Sequence, residues 1–515
     1  MNGREPRVSV IMPVYNSMPY LTGTMESLLA QDLGEGELEV IAVDDGSTDG
    51  SGEELDRFAV ADGRVTVVHQ PNSGWPGMPR NRGLGLARGR YLFFMDSDDT
   101  MEPETLRRLA DMADAEGMDV VIPRMEGTGG RLVQSLFTKH PHGDVSIARA
   151  METLSPQKLF RRDLVEAHAL RFPEGRVRLE DGMFVTRAYL LARRIGMWAE
   201  HPLYYIAQRD DGQNISSRDI DPAGYAGSVR TIAEILREHV EDRDEADRLV
   251  FELFLRKGLR FYAPKRWLKM SPERQRRWME LHREYLADLV PAELDPTAPK
   301  QADRLKLELI RAGDAAAMDA VVRAAVALGH TATLVEVRPM RRTLELVVAV
   351  SARENAFAEQ LAGPRAAWRR GLAGAARSLL APLLDRRRGR ILYRRIERAL
   401  WGEQPLTLQL AGRDRPSPAV LAAILAPAGA GTEGSAGLPA DAPRRSFIVP
   451  AATLGRYRGD IADAWTVARS EDGVDGNRER LRAGCDLPLK ASVGRRRVRV
   501  YETNQGNASL DVRKG

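Results

Sequence analysis

Tyr91-Leu92-Phe93-Phe94-Met95-Asp96-Ser97-Asp98-Asp99 is the stretch on which the reading of this chain turns. Five apolar residues of strand type run straight into three carboxylates within four positions. Turn formation requires no such crowd of like charges, and they repel one another unless a cation compensates them. Mg²⁺ and Mn²⁺ take oxygen ligands, commonly one or two carboxylates plus the phosphates of a bound nucleotide. The stretch therefore favours metal–diphosphate binding over three acids solvated in a loop.

Strand and helix signals alternate on both sides of it. Val8 to Val14 is a buried-strand run, Leu21, Met25, Leu28 and Leu29 recur at helical spacing, and Leu38 to Val43 is the next strand. Ser51 with Glu54 three residues on predicts a capping box at a helix start. Val65 to His69, Tyr91 to Met95 and Asp119 to Pro123 are further strands, with helices over Arg80 to Ala87 and Glu104 to Glu116. This alternation predicts an α/β domain with a largely parallel sheet, whose ligands bind beyond the carboxyl ends of the strands. The acidic clusters fall there.

A chain of 515 residues is too long for one ordinary core. An α/β domain is expected over 1–221 and a charged helical region over 222–330. A β-rich, sandwich-like domain is expected over 331–515, with strands such as Leu344 to Val350 and Arg497 to Tyr501. An Ala/Gly/Pro-rich loop at 423–442 and a basic helical segment at 365–401 interrupt the last domain. That basic segment holds eleven arginines against Asp385 and Glu397. It suits an anionic membrane surface or an interdomain helix pair, and the second is favoured.

The single cysteine, Cys485, excludes an intramolecular disulfide and a Cys-rich metal site. His140, His142, His168 and His201 have no metal-ligand spacing. The N-terminal residues lack the apolar region of a signal peptide, and no run of about 18 apolar residues occurs. The expectation is a cytoplasmic protein, with 365–401 as the place of any contact with the inner face of a membrane. A net charge of +4 and the lack of an RNA-binding motif argue against nucleic acid as a partner.

Three more blocks carry chemistry. Val43-Asp44-Asp45-Gly46-Ser47-Thr48-Asp49 reads alone as a polar turn, but one carboxylate there is placed to accept hydrogen bonds from a base or ribose. The loop from Gln70 through Asn72-Ser73-Gly74 to Gly83 puts Arg80 near a helix start, where it can pair with a phosphate. This loop is neither a P-loop nor a Gly-x-Gly-x-x-Gly turn, which removes the main support for a dinucleotide dehydrogenase. Arg178-Leu179-Glu180-Asp181-Gly182 alone is an acidic helix start.

Taken in order, these blocks, with Pro13-Val14-Tyr15-Asn16 after the first strand, resemble the family 2 glycosyltransferases of the GT-A fold over about 1–220. The resemblance implies that Tyr15 and Asp45 surround the base, usually uracil, of a nucleotide-sugar donor that Pro13 and Asn72 also bind. It implies that Arg80 contacts the phosphates or ribose, that Asp96 touches the ribose, and that Asp98 with Asp96 holds Mn²⁺ or Mg²⁺. Asp181 would be the catalytic base, with Glu180 beside it, and the transfer would be inverting. A single displacement of this kind needs a base and a cation but no covalent nucleophile.

A narrower resemblance rests on Trp75-Pro76-Gly77-Met78-Pro79-Arg80-Asn81, Ser155-Pro156-Gln157-Lys158-Leu159-Phe160 and Arg171-Phe172-Pro173-Glu174, which look like the bacterial enzymes that glycosylate wall teichoic acid. Those enzymes often carry Gly where Trp75 stands, so a difference on the acceptor side is to be looked for there. The implied acceptor is an envelope polymer or lipid-linked chain held by Arg209, Ser216, Arg256, Arg260 and Lys265, and an oligomer contact is expected in the C-terminal domain. The competing acceptor is a neutral polysaccharide or glycolipid. The competing function is a non-catalytic binding protein on the same scaffold. Gln208-Arg209-Asp210-Asp211 lacks the Trp of the processive enzymes, which argues against long processive synthesis.

Overall fold

The computed structural model describes residues 5–128, 133, 136–207, 219–299, 301–327, 330–352, 406–412, 419–422, 424–425, 444–457, 461–469, 475–483, 485, 487–503 and 507–514. The chain forms two compact units, Met1–Arg260 with Pro272–Ala298, and Phe261–Ser271 with Pro299–Gly515. The helical region expected over 222–330 is shared between them. The basic segment 365–401 lies outside the described residues, as does 423–442 apart from Ile424–Leu425.

The first unit is built on eleven strands. These are β1 (Val8–Val14), β2 (Leu38–Asp44), β3 (Val65–His69), β4 (Tyr91–Phe94), β5 (Thr100–Met101), β6 (Val120–Pro123), β7 (Met125–Gly127), β8 (Gly143–Asp144), β9 (Leu159–Arg161), β10 (Ile195–Trp198) and β11 (Tyr204–Ile206). Eight form one sheet in the order β3-β2-β1-β4-β9-β6-β10-β8, and β5-β11-β7 form a small second one. β1 lies parallel to β2 and β4, with Val14 beside Asp44 and Ile11 beside Phe94, so three strand ends point the same way. β9 runs antiparallel between β4 and β6. It brings the Gln157-Lys158 turn to the end of the strand that carries Asp96 to Asp99.

The predicted capping box is corrected. The helix Ser51–Ala61 starts after Gly50, which sits at φ 91 with no side-chain cap. The Ser51 hydroxyl instead donates to Asp49, and Glu54 accepts from Thr22 (2.6 Å) and Arg57 (2.7 Å). A nearer carboxylate took the serine, and a helix packed alongside took the glutamate.

Glu180 and Asp181 are placed by aromatic packing. Phe184, one turn into the helix Glu180–Leu191, stacks on Phe172 at 4.1 Å between ring centres and meets Phe94 of β4 edge-on at 5.4 Å. All three rings are buried, and aromatic contacts of this kind fix orientation as well as bury area. The helices Pro222–His239, Arg243–Lys257 and Pro272–Leu289 follow, the first two capped by Asp221 and Asp242 side chains. Phe254 stacks on Tyr285 at 5.2 Å among them.

Among its described residues the second unit holds a five-stranded and a seven-stranded sheet. One core takes Leu334, Leu346 and Val348 from the first sheet and Leu408, Ala464, Val500 and Leu510 from the second. Two sheets facing across a shared apolar layer are a sandwich-like arrangement. Among the described residues no helix is long and apolar enough to cross a membrane.

Candidate active site

A cleft of about 830 Å³ lies beyond the carboxyl ends of β1, β2 and β4. Pro13, Tyr15, Asp45, Asn72, Arg80, Asp96, Asp98, Glu180, Asp181 and Arg260 line it, so the blocks after β1, β2 and β4, the Arg80 loop and the Glu180 helix start meet there.

One wall is the turn after β2. The Asp45 amide donates to the Val14 carbonyl at 2.8 Å, which ties that turn to the end of β1. The Asp45 carboxylate accepts from Gln70 Nε2 (2.6 Å) and from the Ser73 amide and hydroxyl (3.0 and 2.8 Å). Gly46 is required between these contacts. Its φ is +75, and a Cβ would stand 2.8 Å from the Asn72 amide nitrogen. Asn16, itself at φ 47, accepts from the Thr48 amide at 2.8 Å and so closes the turn after β1 against the same loop. Tyr15 next to it remains 44 % exposed on the rim. Asp44 faces away and pairs with His69 Nδ1 at 2.9 Å. Burial would raise its pKa, but hydrogen bonds from Ser47 and His69 prevail and lower it.

Arg80 is the hub of the opposite wall. It is 4 % exposed and donates from Nη1 to Glu180 Oε1 (2.9 Å) and from Nη2 to Asp96 Oδ1 (3.0 Å). Glu180 Oε2 accepts from Trp75 Nε1 at 2.9 Å, and Asp96 Oδ2 accepts from Gln157 Nε2 at 2.5 Å. The result is one hydrogen-bonded chain, Trp75–Glu180–Arg80–Asp96–Gln157. Burial, followed by the neighbouring Asp181, pushes the Glu180 carboxyl up to about 7 against the pull of Arg80. Asp181 is also raised, chiefly by burial, with Arg80 and Lys257 opposing. Its Oδ1 accepts from the Gly182 amide at 2.7 Å, and among the described residues no other donor reaches its carboxylate.

The three acids after β4 divide their tasks. Asp99 turns inward to Tyr204 Oη (2.8 Å) and the Ala207 amide (2.9 Å), and burial, then Asp96 and Asp98, push its carboxyl up. Asp96 is held by Arg80 and Gln157. Asp98 lines the cleft. Among the described residues no three His, Cys, Asp or Glu side chains gather as a metal site. A donor set of Asp98 with Asp96 beside it fits a hard cation whose remaining ligands are diphosphate oxygens and water, and does not fit an all-protein cage.

The proposed acceptor residues separate. Arg260 lines the cleft, its Nη1 3.4 Å from Tyr225 Oη. Arg256 is not on the cleft wall, and the carboxylates acting on it are Glu152 and Glu252. Lys265 belongs to the other compact unit, and Arg209 and Ser216 lie outside the described residues. Arg176 and Arg178 also line the cleft, and the Arg178 guanidinium lies 5.3 Å from the centre of the Trp75 ring. Two lysines near Asp181 complete the surroundings. Lys158 is wholly buried, donates to the Ser155 carbonyl, and is pushed down to about 7 by burial. Lys257 is lowered to about 8 by burial and then by Arg256. Sequence reasoning linked Trp75 only to the acceptor side, not to Glu180, and assigned no role to Gln157, Lys158 or Tyr204. The first three lie in the quoted Trp75-to-Asn81 and Ser155-to-Phe160 blocks, which was the available signal.

The model of "Glycosyl transferase family 2" matches residues 9–175, and that of "Glycosyl transferase TarS linker domain" matches 222–322. The chain is 30% identical over 311 residues to the poly(ribitol-phosphate) beta-glucosyltransferase of Bacillus spizizenii, covering 59% of this chain and 47% of that protein. The chain thus spans about half the length of that relative. It is 30% identical over 253 residues to glycosyltransferase GlyG of Streptococcus pneumoniae, covering 46% of this chain and 80% of that protein. Among solved structures, TarS 1–349 of Staphylococcus aureus in complex with UDP-GlcNAc superposes with a TM-score of 0.56 at 29% identity, over 68% of this chain and 97% of that one.

Proposed function

Because the chain belongs to glycosyl transferase family 2, we infer that its cleft moves a sugar from a nucleotide sugar, with a UDP donor favoured, to a hydroxyl of a polyol-phosphate polymer of the cell envelope. The observation that carries this reading is the meeting of Asp45, Arg80, Asp98 and Asp181 on one cleft. The relatives support the acceptor, since one is named for poly(ribitol phosphate), and the donor, since another was solved with UDP-GlcNAc.

In this reading Tyr15, Asp45 and Asn72 receive the base and ribose, and Asp96 is held toward the ribose by Arg80 and Gln157. Arg80 is engaged on both sides by carboxylates, so it sets the positions of Glu180 and Asp96 while adding positive charge to that wall. Asp98, with Asp96 beside it, would hold a divalent cation such as Mn²⁺ or Mg²⁺, which would supply positive charge for the departing diphosphate. Asp181 takes the proton of the acceptor hydroxyl as that oxygen attacks the anomeric carbon from the face opposite the leaving diphosphate, which inverts the configuration. Glu180, bound on both oxygens, is a positioning residue. Arg260, with Arg176 and Arg178, gives the cleft mouth the charge that a phosphate-bearing acceptor needs.

The test is a transfer assay of the purified chain with UDP-glucose, UDP-GlcNAc and GDP-sugars on poly(ribitol phosphate) and on a neutral glucan. Turnover is expected with a UDP-sugar on the phosphate polymer, and Asp181→Asn is expected to lower kcat by about 10²–10⁴-fold while UDP affinity is kept. Faster transfer to the neutral glucan would remove the polymer from the proposal. An Asp181→Asn chain that loses UDP binding and turnover equally would remove Asp181 as the base.

A further inference from the structure

The C-terminal strands Leu489–Val493, Arg496–Glu502 and Ala508–Lys514 form one antiparallel ribbon at the edge of the seven-stranded sheet. Val493, Val498, Val500, Leu510 and Val512 are buried in the shared core, so the alternate residues point outward. The register sets Lys490 opposite Arg499 and Arg499 opposite Asp511, and in the next row Ser492 opposite Arg497 and Arg497 opposite Arg513. Lys490, Arg497, Arg499 and Arg513 are all exposed.

Of these four, Arg513 alone has a carboxylate partner among the described residues, Asp511 at 2.8 Å. Among the described residues Lys490, Arg497 and Arg499 have no carboxylate partner, and the Arg499 guanidinium lies 5.6 Å from the Tyr501 ring centre. Like charges set directly across a sheet are destabilising, and Lys490 with Arg499 is such a pair. Among the described residues no salt bridge relieves that pair, the one on this face joining Asp511 to Arg513. Instead the backbone ladder holds cations about 6.8 Å apart along a strand and about 4.8 Å apart across strands.

We propose that this exposed ribbon face docks a linear polyol-phosphate polymer, the same class of molecule as the acceptor, as a binding surface additional to the cleft. The proposal rests on the acceptor reading given above. A flexible chain with one phosphodiester per repeat can set successive anions against Lys490, Arg499 and Arg497. The face presents one aromatic ring, Tyr501, beside Arg499, and so offers no platform for successive nucleobases, which single-stranded nucleic acid would use. A second attachment turns each later encounter of the polymer with the cleft into an intramolecular one, so the gain grows with polymer length.

The experiment compares the full chain with a Lys490→Gln/Arg497→Gln/Arg499→Gln variant. Poly(ribitol phosphate) of tens of repeats and an acceptor of one or two repeats serve as probes. The variant is expected to raise KM for the long polymer about tenfold or more, to leave KM and kcat for the short acceptor unchanged, and to flatten the salt dependence of long-polymer binding. Arg497→Gln alone is the second variant. It removes one exposed cation that has no carboxylate partner among the described residues, so it is expected to unfold no earlier than the parent while losing part of the long-polymer affinity. Unchanged long-polymer affinity in both variants overturns the surface. So does single-stranded RNA of equal phosphate count binding as tightly through the same three residues. Direct binding without donor needs no turnover, so failure of the surface is separable from failure of the transferase reading. Transfer to the polymer with undiminished affinity in the variants removes the surface alone.

Discussion

Glu180 accepts from Arg80 on one oxygen and from Trp75 on the other, whereas Asp181 beside it accepts, among the described residues, only the next amide. The sequence offered Asp181 as the base with Glu180 beside it, but what holds Glu180 was not legible, because Trp75 reaches it across 105 residues. The same holds for Gln157 and Asp96, 61 residues apart. Local patterns reveal which residue types are present and leave long-range partners to the fold. Burial raises Glu180 from an ordinary 4.5 to about 7, so the folded state prefers the protonated acid. The stability this withholds is near zero below the ordinary value and grows as pH rises from there toward 7. Trp75→Phe removes the donor on Oε2 and raises that carboxyl further. The acidic limb of kcat/KM should then move to higher pH, and stability at pH 8 should fall by about 1–3 kcal/mol, the usual effect of leaving a buried acceptor unpaired. Paired pH–rate and denaturation curves check both. An unmoved limb would show that the Trp75–Glu180 bond does not govern the ionisation that limits turnover.

At the level of elements, β1, β2 and β4 were readable because each is a run of apolar residues that ends in polar ones, as strands buried on both faces do. β9 was not, since three residues, Leu159–Arg161, show no period, and only its neighbours β4 and β6 make it a strand. The turn after β2 lies between these cases. Its Asp-Asp-Gly was visible, but the need for Gly46 comes from the Asn72 backbone packed against it. Gly46→Ala must place a Cβ 2.8 Å from that nitrogen at a φ of +75. We expect a loss of about 1–3 kcal/mol of stability together with weaker UDP binding, because the displaced loop carries Asn72 and the Ser73 that holds Asp45. Thermal unfolding and UDP calorimetry check this. A variant of parental stability and UDP affinity would show that the loop yields at no cost.

For the whole molecule, the α/β, helical and β-rich order was legible from period and composition, while the division of the helical region was not. Helices at Pro222–His239 and Pro272–Leu289 belong to the unit with the cleft, whereas Gln301–Ala312 and Ala315–Ala327 belong to the unit with the β sheets. Charge and periodicity are alike on both sides of that divide, so only packing separates them. Each unit has its own apolar core, with Val10, Phe94 and Phe184 in one and Leu346, Phe447 and Leu510 in the other. Units with separate cores unfold as separate cooperative steps when few contacts join them. A ligand that binds one native unit raises only that unit's transition, by RT ln(1 + [L]/Kd), about 2.7 kcal/mol at a hundredfold excess over Kd. Every residue lining the cleft lies in the first unit. Calorimetry of the full chain should therefore show two transitions, of which UDP moves one and leaves the other in place. Gly46→Ala should lower the same transition that UDP raises. The Lys490, Arg497 and Arg499 replacements should leave that transition where it is, because they lie in the other unit. A single transition that UDP shifts as a whole would mean that the two cores unfold as one. A shift confined to the transition that Gly46→Ala leaves untouched would place the nucleotide outside the cleft.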